Sequence, residues 1–159
     1  MSTAPTAAAQ AVNLYQAWQM LRLEHPRLRA REAAAQLGVS EAELTVSRLG
    51  VDTQRLRPDW AELLPAFAQL GHVMVLTRNE HCVHERKGLY REVSVSASGQ
   101  MGLVVSADID LRLFLGGWAS VFAVVEETAK GTRRSIQVFD QQGVADVGCV
   151  HGDDVHRLG

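Results

Sequence analysis

The sequence predicts an α+β fold: a large antiparallel β-sheet with N-terminal helices packed against it. Three observations carry this reading. Before Gly71 the apolar residues recur at helical spacing, whereas from His72 onward the runs are short, β-branched or alternating, and separated by turn residues. A chain of 159 residues, 47% of them hydrophobic, can bury one sizeable core but hardly two. A single domain over 1–159 is therefore expected, with residues 1–10 flexible because they are Ala-rich and lack a periodic apolar face.

Taken in order, Leu14, Trp18 and Leu21, with Ala11 and Tyr15 beside them, predict an amphipathic helix over 10–24 that ends before Pro26. A short helix over 30–37 should stop at Gly38. The next starts at Ser40, whose hydroxyl can cap it, and Glu43 three residues later completes a capping box. A fourth helix, 59–70, should bury Trp60, Leu63, Leu64 and Phe67. Pro65 lies inside it and should bend or shorten it, because the ring removes an N–H and clashes with the preceding turn. Strands are expected at 72–77, 82–86, 89–95, 101–106, 109–115, 119–126, 134–140 and 144–150. In 109–115 a strand would put Ile109, Leu111, Leu113 and Leu115 on one face, with Asp110, Arg112 and Phe114 on the other. No internal repeat is visible, and only the Ala-rich start is of low complexity.

Sixteen basic against eighteen acidic residues leave a formal charge of -2, which gives no global reason to expect nucleic acid or an anionic membrane as partner. All basic residues but Lys87 and Lys130 are Arg. That bias suits bidentate recognition of carboxylates wherever a guanidinium is held rigidly, although a genomic preference for Arg explains most of it. Cys82 and Cys149 match no metal-ligand spacing and fit a reducing interior. The opening residues lack the basic and continuous apolar segments of a secretion signal, and no run approaches the roughly 18 apolar residues of a membrane span. The expected location is cytoplasmic.

Three constellations could carry chemistry. Residues 31–48, with Gly38 between two short helices, have the layout of a DNA-reading helix-turn-helix. Glu41 and Glu43 would meet the phosphates, however, and Arg48 is the segment's lone base beyond Arg31, so a helical hairpin filling a core with Ala33, Leu37, Val39 and Leu44 is the better reading. Asn79-Glu-His-Cys-Val-His-Glu85 offers potential metal ligands, but a strand would send Cys82 and His84 to one face and His81 and Glu85 to the other. A hydrogen-bonded strand histidine is the simpler role for His84, and an exposed one for His81. Arg112, flanked by Asp110 and Phe114, must face solvent, pair with a carboxylate or bind an anionic ligand. No nucleophile elbow, phosphate-cradling loop or catalytic carboxylate pair is present.

Several stretches together resemble the haem-utilisation family of cytoplasmic haem-trafficking and haem-degrading proteins, the HemS/HmuS/ChuS group. They are Leu76-Thr-Arg-Asn-Glu80, Val83-His-Glu85, Gly102-Leu-Val, Ile109-Asp-Leu-Arg-Leu-Phe-Leu115 with Trp118, and Arg134-Ser-Ile-Gln-Val-Phe-Asp140 with Gly143. The opening helices match as well, through Arg29 to Ala34 and Leu37 to Leu44. The resemblance runs from about Leu14 to Val150 and demotes the DNA reading.

What it implies is a large antiparallel sheet with flanking helices, usually present twice in a chain of about double this length, of which this sequence looks like the first repeat. It implies haem (iron protoporphyrin IX) as the bound group. By resemblance, Arg112 is similar to a family arginine on the distal side of the haem, where it would donate to an axial ligand, and His84 is similar to a first-repeat histidine considered for the iron. The family's best established iron-ligating histidine lies in the second repeat and has no counterpart here. Phe114 would add an apolar wall, and Arg78, Arg86 or Arg133 are cations for the propionates on charge alone. The missing half would be supplied by a second repeat or by a homodimer. Degradation would need electrons from elsewhere, and no residue identifies their source, so the enzyme question stays open. The other readings are a DNA-binding regulator and a structural half-domain that does not itself bind haem.

Overall fold

The computed structural model describes residues 7–78 and 81–151. Most of the expected loose start, together with Asn79 and Glu80, lies outside the described residues, as does the side chain of Cys149. Helix α1 (Ala7–Glu24) begins earlier than its apolar stripe does. Helix α2 (Ala30–Leu37) ends where expected: Gly38 takes φ 70°, a left-handed conformation that L side chains avoid. The capping box of α3 (Glu41–Val46) is reciprocal, with Glu43 N–H donating to Ser40 Oγ at 3.2 Å and Ser40 N–H to Glu43 Oε2 at 2.7 Å. Those bonds to Ser40, the backbone one foremost, hold the Glu43 carboxyl below its ordinary pKa. Trp18, Ala33, Ala34 and Leu44 form the small core of this helical layer, backed by Leu14, Leu21, Leu28, Leu37 and Val39.

Helix α4 (Trp60–Phe67) contains Pro65 and continues only as a 3₁₀ turn, Ala68–Leu70, so the expected helix is shortened rather than broken. Among the described residues there are nine strands: β1 (Thr53–Leu56), β2 (His72–Arg78), β3 (Val83–Leu89), β4 (Glu92–Val95), β5 (Met101–Val105), β6 (Asp110–Phe114), β7 (Trp118–Thr128), β8 (Gly131–Asp140) and β9 (Ala145–His151). They form two antiparallel sheets, one of order β1-β7-β8-β9-β2-β3 and one of order β4-β5-β6. The sheet expected from the sequence is thus divided. The chain leaves the larger sheet at Tyr90 and Arg91, and Tyr90 is buried against Phe67 at 6.2 Å between ring centroids. Strand β1 is one the sequence did not announce: it has four residues, and only Thr53 and Leu56 face cover.

The main core lies between the two sheets and α4. Val73, Val75, Val121 and Val138 of the large sheet meet Val104, Ile109 and Leu113 of the small one, with Leu64, Phe67 and Trp118 closing the space. Trp60 and Trp118 pack edge to face at 5.0 Å. The opposite face of the large sheet buries Phe122, Val124 and Phe139 beneath Ala42 and Val46 of α3. Two glycines set these approaches. Ala42 N–H donates to Gly143 O at 3.0 Å, and a Cβ on Gly143 would lie 2.6 Å from Ser40 Oγ. A Cβ on Gly88 would lie 2.9 Å from Asp108 Cβ and 3.2 Å from the Ile109 side chain. Strand β3 therefore runs through Gly88, where a break was expected, because the β5–β6 turn rests on that bare backbone.

A buried ion network fastens helices to sheet. Arg48, 4% exposed, donates from Nε to Asp52 Oδ1 at 2.8 Å and pairs through Nη1 with Glu126 Oε1 at 2.9 Å, while Arg133 holds the other oxygen of Glu126. The Arg48 guanidinium lies 4.8 Å from the Trp18 ring centre. Burial pushes the Glu126 carboxyl up, but the hydrogen bond and charge of Arg133, and then Arg48, outweigh it and hold the group below its ordinary carboxylate range. Burial likewise pushes Arg48 down, yet its bond to Asp52 and the two carboxylate charges leave it above its ordinary value.

Two tests follow from this packing. Gly88→Val should cost about 1–3 kcal/mol in urea unfolding, as overpacked core positions do, while Gly117→Ala, with open space around its Cβ, should change stability little. A carboxyl whose folded pKa is depressed contributes stability above its unfolded value and loses it as pH falls through the folded one. Stability should therefore drop as pH falls below the ordinary carboxylate range, and Glu126→Gln should lower stability at neutral pH while flattening that acid limb, read as the urea midpoint against pH.

Candidate functional site

The alternation in 109–115 survives folding. Ile109, Leu113 and Leu115 are buried and Leu111 is half-buried, whereas Asp110, Arg112 and Phe114 are exposed. Register then assembles the outward surface of the small sheet. Leu103 of β5 sits opposite Arg112, Met101 opposite Phe114, and Val105 opposite Asp110; Ser94 and Glu92 of β4 extend the first and last of these rows. Successive rows are roughly 7 Å apart along the strands.

The surface sets Arg112 beside the apolar side chains of Leu103, Met101 and Phe114, with the carboxylates of Asp110 and Glu92 in the next row. Phe114 is 70% exposed, Met101 44% and Leu103 37%, and no ion pair engages Arg112 among the described residues. Contiguous exposed apolar side chains of this size on a folded protein mark a binding surface. Gly102 keeps the platform close to its support, since a Cβ there would lie 2.8 Å from Leu64 of α4.

His84 is elsewhere. It stands exposed on β3 and, with Arg86, lines a cleft of about 190 Å³ closed by Ser106, Ala107, Asp108, Ile109, Asp110 and Leu111. Arg86 Nε donates to Asp108 O at 2.9 Å. The cleft is smaller than the roughly 300–1,000 Å³ of small-molecule pockets, and Arg112 does not line it. The imidazole and the guanidinium thus belong to different sheets, and Asp110 of the Arg112 face borders the cleft of His84. A larger surface hollow, about 450 Å³, lies at the α1–α2 corner, but none of the candidate residues lines it.

All three expected propionate cations have intramolecular partners, Arg86 through its bond to Asp108 O. Arg78 pairs with Glu41 and donates to Ala145 O at 3.4 Å, tying β2 to α3 and the β8–β9 turn, so it is not the open cation the sequence suggested. Arg133 holds Glu126. In the motif 79–85, His81, Cys82, His84 and Glu85 are exposed, and among the described residues no three such side chains gather as a metal site. Arg48, the base in the DNA-like segment's second half, is buried in its carboxylate network, and of the two acids on α3 Glu41 is held by Arg78 while Glu43 is exposed. Sequence reasoning missed Met101 and Leu103, although their alternation with Gly102 and Val104 was visible and only the register was not.

Residues 38–155 match the family model described as the haemin-degrading HemS.ChuX domain, and that span is most of the chain. The chain belongs to the HemS/ChuX family. HemS/ChuX relatives include the hemin transport protein HmuS of Yersinia pestis, 46% identical over 134 residues that make up 84% of this chain and 38% of HmuS. Among solved structures, holo-PhuS, a heme-binding protein from Pseudomonas aeruginosa, superposes with a TM-score of 0.88 at 70% identity over 90% of this chain and 41% of that one. ChuS, an E. coli heme oxygenase, superposes with a TM-score of 0.78 at 37% identity over 89% and 41%. The chain thus spans about two fifths of the length of the curated relatives it matches. No helix among the described residues is long and apolar enough to cross a membrane.

If the outward surface is built for a ligand rather than for stability, its side chains should be dispensable to the fold. Arg112→Ala and Phe114→Ser should each change unfolding free energy by no more than about 0.5 kcal/mol, while Leu113→Ala, the inward residue between them, should cost about 2–5 kcal/mol.

Proposed function

We propose that this chain is a cytoplasmic haem-binding protein that traffics haem or takes part in its degradation for iron acquisition, with haem as ligand or substrate. The observation that carries the proposal is the outward surface of β4–β6: Leu103, Met101 and Phe114 beside Arg112, which no ion pair engages among the described residues. A tetrapyrrole asks for an apolar platform and a few placed donors. The platform supports the macrocycle, and the Arg112 guanidinium donates hydrogen bonds to a ligand at the iron or to a carboxylate reaching across the face. Bound haem would supply the iron and its redox chemistry; the residues of this chain seat and orient it.

The surface is open on one side. A second wall, and the axial base that this face lacks, come from a further repeat or from a second copy in a homodimer. Open seating suits a carrier that must release its cargo. His84, away from the platform in its own cleft, is assigned no iron bond in this proposal.

One other reading has an observation in its favour. The chain covers 38% of its curated relatives, and its platform lacks an opposing wall, as expected of a structural half that does not bind haem by itself. A DNA-binding regulator has lost its footing, because Arg48 is buried and paired.

Haemin titration followed by Soret absorption separates these readings. The proposal expects a saturable spectral shift, roughly tenfold weaker binding for Arg112→Ala, and a change of no more than about twofold for His84→Ala. An intact fold with no saturable shift would support the structural-half reading, and unchanged affinity in Arg112→Ala would remove the arginine from the site.

A further inference from the structure

The platform holds one side chain whose chemistry the haem proposal does not use, the thioether of Met101. It stands on the outward face of β5, 44% exposed, directly across from Phe114 and one row from the Leu103–Arg112 pair. Sulfur beside an aromatic ring makes a favourable apolar contact, and Met101 supplies a large part of the platform's apolar surface. It is also the one oxidisable side chain of that face, which otherwise consists of Glu92, Ser94, Leu103, Val105, Asp110, Arg112 and Phe114. A cargo that carries iron brings peroxide chemistry close to this sulfur.

We propose that Met101 is a modification site through which peroxide weakens the hold of the platform on haem. The inference rests on the haem reading above and adds a regulation to it. The sulfur lone pair attacks one oxygen of hydrogen peroxide, the O–O bond breaks as the S–O bond forms, and the departing hydroxide takes the proton of the new S–OH group and leaves as water. Sulfur loses two electrons and peroxide gains them, so the products are methionine sulfoxide and water, with no further reactant. The sulfoxide is polar and strongly hydrated. A macrocycle lying over it must strip that hydration, so the oxidised face binds haem less tightly, and reduction of the sulfoxide restores the original surface.

Met20 provides an internal comparison, being 63% exposed on α1 and absent from the platform. The test oxidises the haem-free 159-residue chain with hydrogen peroxide, removes the oxidant, maps sulfoxide by peptide mass, and then titrates haemin. The expected result is sulfoxide at Met101 and Met20 with binding about three- to tenfold weaker. Met20→Leu should respond to peroxide as the parent does, whereas Met101→Leu, whatever its own affinity for haemin, should show the same affinity before and after peroxide. Met101→Gln, a polar side chain of similar length, should bind weakly without any oxidant. Undiminished binding by a chain whose Met101 is mapped as sulfoxide overturns the inference, as does resistance of Met101 under conditions that oxidise Met20. Failure of the untreated chain to bind haemin overturns the haem reading itself and this inference with it.

Discussion

The register between β5 and β6 is the constraint on which the site depends. With Val104 opposite Leu111 and Gly102 opposite Leu113, the inward residues enter the core between the two sheets, and Leu103, Arg112, Met101 and Phe114 must point out. A slip of one residue would exchange the faces. It would expose Ile109 and Leu113, each worth about 1.5–3 kcal/mol when fully buried, and would place the Arg112 guanidinium in a core that offers it no carboxylate. The same alternation that stabilises the small sheet therefore presents its cation and its apolar side chains to solvent. Structure and surface chemistry are two sides of one pairing.

The remainder of the molecule braces that sheet. Gly102 lets α4 press on its inner side, and Gly88 lets the β5–β6 turn rest on β3. Behind the large sheet, Arg48 and Glu126, with Asp52 and Arg133, fix the helical layer to β7 and β8 while Phe122 and Phe139 fill the apolar part of the contact at 5.7 Å. A half-exposed ion pair contributes little, but Arg48 is almost wholly enclosed, so losing one carboxylate would leave a buried charge half-compensated and losing both would strand it. The short helices that resemble a DNA reader are thereby committed to the interior. Their resemblance is one of spacing, and it gives way because Leu44 and Ala42 are needed as core.

Local signals in the sequence were read where the chemistry is local. Gly38 and the Ser40–Glu43 box act within a few residues, and the leucine alternation of 109–115 fixes its own two faces, so all three stand as expected. Long-range features were less legible. The division into two sheets turns on Tyr90 finding Phe67, and the continuity of β3 turns on Gly88 meeting Asp108. Charge alone nominated Arg78 and Arg133, and only the tertiary structure reveals Glu41 and Glu126 as their partners. His84 and Arg112 were grouped because both sit in suggestive motifs, but a motif gives no information about which sheet its strand joins. Met101 and Leu103 escaped notice for the complementary reason: as ordinary apolar residues they acquire meaning only when register sets them beside Arg112.

The central claim is that the outward face of β4–β6 receives the tetrapyrrole, and the most direct measurement is a map of backbone amide shifts on adding diamagnetic gallium protoporphyrin. The account expects the largest changes at Met101, Leu103, Arg112 and Phe114, with the helical layer unaffected. Changes centred instead on His84, Arg86 and the 106–108 turn, or on α1 to α3, would contradict it.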